Sequence, residues 1–63
     1  LNTEVVGVVL AIITLHPEMV AGGAPIFVAR NEDEQKRIAL ILSRVLKGMV
    51  HDLENGTYII VKH

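Results

Sequence analysis

From Val5 to Leu15 the chain runs for eleven residues without a charge, and eight of them are valine, leucine or isoleucine. So dense a run must be covered, because monomeric soluble proteins rarely expose apolar patches beyond a few hundred Å2 or so. It is too short for the ~20 residues that cross a bilayer as a helix. Residues 1–4 carry no lysine or arginine, so the basic flank of a signal peptide is missing. The expectation is a soluble, cytoplasmic chain with no membrane association.

Covering the run is difficult in a chain of 63 residues. Residues 1–63 are read as a single small domain. A domain of about 60 residues buries only about 60% of the surface that its unfolded chain exposes, which leaves stability marginal. With no cysteine, neither a disulfide nor a thiolate zinc site is available. A mean hydropathy of +0.46 excludes disorder. A partner chain is then the remaining means of support.

Valine and isoleucine favour a strand over residues 3–15, but periodicity predicts a helix there. Glu4, Gly7, Ala11, Thr14 and Glu18 fall on one helical face, spaced 3, 4, 3 and 4. Asn2 or Thr3 would cap the helix, and the His16–Pro17 step would end it. Gly7 and Ala11 form a small step that would either seat a second helix or face solvent. A buried strand is the alternative. Pro17 opens a single turn through Val20, Gly22–Gly23 resets the chain direction, and residues 24–29 form a short strand with Pro25 at its start.

Charge then concentrates: residues 1–29 hold two charged side chains and residues 30–54 hold ten. Asn31 and Glu34 have capping-box spacing, and Glu32, Asp33 and Glu34 suit the positive end of a helix dipole. At about 100° per residue, Ile38, Ile41, Leu42, Val45, Leu46, Met49 and Leu53 share one arc. Lys36, Arg37, Arg44, Lys47 and His51 share the opposite one. Both arcs hold their phase past Gly48, so the pattern predicts a helix from Asn31 to about Leu53, stopped by Asn55–Gly56. The rival reading makes Asn55–Gly56 a hairpin turn between strands at 49–54 and 57–62. Residues 57–62 form a strand with apolar side chains on both faces.

The order helix, strand, long helix, strand defines a small two-layer α/β fold, with a right-handed βαβ crossover if the strands are parallel. Two strands make a poor sheet, so a homodimer or higher homo-oligomer is expected to complete it. Val5, Val9, Ile12, Ile13, Ile26, Val28 and Ile60 are the candidate interface. The alternative fold is an α+β winged-helix-like domain with a C-terminal hairpin.

Chemistry-bearing patterns are sparse. Lys36, Arg37, Arg44, Lys47 and His51 form a candidate surface for an anionic partner, either nucleic acid or an acidic protein. Asp33 and Glu54 border this stripe, and a net charge of −1 is unlike a nucleic-acid-binding domain. His16, His51 and His63 have no zinc-motif spacing. Ser43 has no base placed by spacing, and His16 with Glu18 reads as a partner of the helix end. Gly22–Gly23 leads into a strand rather than a helix N-terminus, so no phosphate loop is expected. No catalytic residue, metal or cofactor is expected. The sequence describes a non-enzymatic, self-associating interaction or regulatory module, with nucleic-acid binding through the long helix as the alternative.

Overall fold

The computed structural model describes residues 8–62. Val5, the Asn2 or Thr3 cap, Gly7 and His63 lie outside the described residues. The elements are β1 (Val8–Thr14), a single 3-10 turn (Pro17–Met19), β2 (Ile26–Val28), α1 (Glu32–Leu46), β3 (Met49–Asp52) and β4 (Thr57–Lys62). The strands form one sheet in the order β2-β1-β4-β3. β1 and β2 are parallel, while β4 runs antiparallel to both of its neighbours, β1 and β3. With α1 packed against β1, β4 and β3, the fold is a small mixed α/β sandwich.

Residues 8–14 are therefore a strand, not part of a helix. The spacing of Ala11 and Thr14 suggested a polar helical face, yet both are fully buried. Ala11 packs in the core beneath the helix. The Thr14 hydroxyl lies 2.9 Å from that of Thr57 across the strand pair and accepts the His16 N–H. A threonine buried with its hydroxyl paired in this way is a cross-strand contact rather than a solvent-facing stripe. Five β-branched residues in the seven of β1 complete the preference for strand.

The second correction concerns the helix end. Lys47 takes a left-handed conformation (φ 57°), and both its N–H and that of Gly48 close on the Ser43 carbonyl. α1 stops at Leu46, and residues 49–62 form the hairpin of the rival reading. Gly48 is required at this corner. A Cβ there would stand 2.7 Å from Ile60 Cγ2 and 3.0 Å from the Val61 carbonyl oxygen. At the hairpin turn, Glu54 and Gly56 have positive φ, and the Asp52 carboxylate accepts the Glu54 N–H at 2.7 Å.

The βαβ expectation also changes. β2 and β4 are not neighbours and run in opposite directions; α1 instead leads from β2 to β3, which runs the same way as β2 but lies at the opposite edge of the sheet. The parallel pair is β1 and β2, joined by the stretch that contains the 3-10 turn. The winged-helix alternative lacks its second helix, since α1 is the sole α-helix among the described residues. Four strands from one chain also remove the argument that a second copy is needed to complete the sheet.

Ala11, Ile13, Ala29, Ala39 and Ile60 form the buried core, with Leu10, Leu15, Ile38, Leu42, Leu46 and Tyr58 packed against it. Three alanines at its centre let α1 lie close to the sheet. Gln35 fixes the arrangement. This side chain is 1% exposed, and its Nε2 donates to the Ile13 carbonyl at 3.0 Å and the Gly56 carbonyl at 2.9 Å. Gly56 O also accepts the Leu15 N–H. One amide thus joins the helix, the end of β1 and the hairpin turn.

Candidate interaction surfaces

Strand register assigns each side chain to a face, because partners opposite one another point the same way. On the helix side lie the rows Phe27–Ile13–Tyr58–Asp52 and Ala11–Ile60–Val50. The far side carries Val9–Val61–Met49, then Ile26–Ile12–Ile59–His51, then Val28–Thr14–Thr57. In the last row Thr14 and Thr57 are sheltered, with the His16 N–H donating to the Thr14 hydroxyl, while Val28 at the sheet edge is not. Among the described residues no helix or strand lies over the other two rows. Val9, Ile26, Val28 and Met49 are exposed, and Val28 and Met49 keep more than half of their surface in water.

Beside the sheltered end lies a groove of about 240 Å3, lined by Ile12, Met19, Val20, Ala21, Leu53, Asn55, Thr57 and Ile59. Its lining holds no charged side chain, and Asn55 and Thr57 supply its polar side-chain atoms. The groove continues the apolar face.

Of the candidate interface, Val9, Ile12, Ile26 and Val28 come together on this face. Ile13 and Ile60 do not: both are fully buried on the other side, packed in the core under α1. Met49, Ile59 and Val61 share the same face and were not among the candidates. Their signal was the alternation of residues 57–62 about Ile60, which means little until the strand's covered side is known.

The basic stripe is divided. Arg37 and Arg44 are exposed on α1, and Lys47 is exposed just beyond its end. Lys36 lines a depression with Glu32, Asp52 and Glu54, so carboxylates surround it. His51 lies on β3, pointing to the face away from α1. The Asn31 side chain accepts the Glu34 N–H as expected of the cap. Glu34 reaches back one residue further than a capping box, accepting the Arg30 N–H and bonding the Arg30 guanidinium at 2.9 Å. These side-chain and backbone hydrogen bonds from Arg30 hold the Glu34 carboxyl below its ordinary range, and the same pairing raises Arg30.

Elsewhere, Ser43 donates its hydroxyl to the Leu40 carbonyl at 2.8 Å. His16 and Glu18 meet at 3.9 Å on an exposed turn. Among the described residues no cluster of three or more histidine, aspartate or glutamate side chains gathers to hold a metal, and no helix is long and apolar enough to cross a membrane.

Among the described residues the sheet is covered by α1 on one side, apolar on the other, and its titratable groups are dispersed. Residues 6–63 match the family described as "Capping complex subunit for YIEGIA", and the chain belongs to that family. It is also 39% identical over 56 residues to the uncharacterized protein YpzH of Bacillus subtilis (strain 168), covering 89% of this chain and 88% of that one. No solved structure matches the chain.

Proposed function

We propose that this chain is a non-enzymatic subunit of a protein complex and that it joins its partner through the uncovered face of its sheet. One observation carries the reading. Val9, Ile26, Val28 and Met49 stand exposed around Ile12, Ile59 and Val61 on a single strand face that no helix or strand among the described residues covers. The family description supports a protein partner, and YIEGIA is the one it names. In such a complex the partner supplies on this side the layer that α1 supplies on the other. Contact through a broad face needs no titratable group, in keeping with the composition of the adjoining groove.

The test combines the chain with purified YIEGIA protein. Val28→Asp and Met49→Asp are expected to keep the native circular dichroism and melting temperature while abolishing co-migration in size-exclusion chromatography. A complex that forms equally well with both variants would overturn the reading. Sedimentation equilibrium of the chain alone addresses self-association. A dimer that dissociates in the same two variants would assign the face to a second copy instead.

A further inference from the structure

The side of α1 turned away from the sheet carries a second, differently composed surface. Gln35, Ile38, Ala39, Leu42 and Leu46 are buried or packed on the core. On the outer side, at helical spacing, stand Arg37, Leu40, Ile41, Arg44 and Val45. Leu40 is 51%, Ile41 58% and Val45 68% exposed. Scattered surface aliphatics need no explanation, but three within six residues on the outside of one helix make a patch. Arg37 and Arg44 are interleaved with it, and Lys47 follows at its end. Among the described residues none of these three cations forms a close ion pair, although Glu34, bonded to Arg30, also feels the charge of Arg37.

We propose that this outer face of α1 docks an acidic amphipathic helix of a protein partner. Arg37, Arg44 and Lys47 would meet glutamates or aspartates on the flanks of the incoming helix. Leu40, Ile41 and Val45 would meet its apolar seam, the usual arrangement of a helix laid on a helix. Nucleic acid suits the face less well, since a phosphate backbone leaves the three aliphatics uncovered. An anionic bilayer suits it less well too. The patch has no aromatic anchor of the kind that seats a helix at a bilayer surface. This surface lies on the opposite side of the molecule from the uncovered strands, so it stands or falls independently of the function proposed above.

The probe is a fluorescent helical peptide of about three heptads with leucines along its seam and glutamates on both flanks. The control replaces every glutamate with lysine. Fluorescence anisotropy with the full chain is expected to show binding of the acidic peptide that weakens with added salt and exceeds the control by at least about tenfold. The double variants Arg37→Glu with Arg44→Glu, and Ile41→Ser with Val45→Ser, should each abolish binding. All four positions are exposed, so circular dichroism should confirm that both variants stay folded. Val28→Asp, on the other side, should leave peptide binding unchanged. Absent binding, equal binding of the control, or binding untouched by the double variants would overturn the proposal. So would a preference for phosphatidylserine vesicles or a DNA duplex over the peptide.

Discussion

Gln35 shows how much a single side chain contributes in a core this small. Its amide nitrogen bonds the carbonyls of Ile13 and Gly56, and no buried side-chain polar atom among the described residues lacks a hydrogen-bond partner. Gln35→Leu removes both bonds and leaves carbonyls facing an apolar group. The expected cost is about 1–3 kcal/mol, read as a lower urea midpoint at unchanged slope. Gly48→Ala acts through space instead. Its new methyl group meets a core isoleucine and a strand carbonyl, neither at the end of a flexible chain. A loss of about 1–3 kcal/mol is expected, and a wild-type midpoint would show that the hairpin can move aside. Neither role is visible in the sequence alone. Gln35 reads as an ordinary polar helix residue, and Gly48 interrupts a pattern that looks helical on both sides.

At the scale of elements, β2, β4, the turn at Pro17 and the start of α1 were legible because each has local chemistry. Pro17 and Asn31 act within a few residues of themselves. β1 was not legible, because Ala11 and Thr14 are small or polar yet central, one beneath the helix and the other bonded to Thr57. The end of α1 was obscured by coincidence, since Met49, Val50 and Leu53 extend the helical phase while lying in or beside β3. The helix start makes a prediction of its own. Glu34 is bound to Arg30 and has a lowered pKa, so its contribution to stability is complete above about pH 4.5, the ordinary value. It is lost as the pH falls through the lower folded value. Melting temperature should therefore decline over that acidic interval, and Glu34→Gln should flatten this part of the profile. A variant whose profile overlays that of the wild type would show that the pair contributes nothing measurable, as exposed ion pairs sometimes do.

For the molecule as a whole, class and likeness of sides were readable, but sidedness was not. The sequence shows strands apolar on both faces and leaves open which face the helix will take. Only register separates Ile60, beneath α1, from Ile59 on the uncovered side, although the two are adjacent and chemically identical. The same ambiguity placed Ile13 among the interface candidates when its side chain belongs to the core.

If the partner binds the exposed strand face, as proposed, that face would also give a cell a means of counting this subunit. A copy that has found its partner would hide those valines and isoleucines, whereas a surplus copy would display them to chaperones and proteases that triage exposed apolar surface. Its abundance would then follow that of its partner without any control of its synthesis. A pulse-chase measurement should find a shorter half-life in cells lacking YIEGIA than in cells containing it. The substitution Met49→Asp should shorten the half-life only where YIEGIA is present to be lost as a shelter.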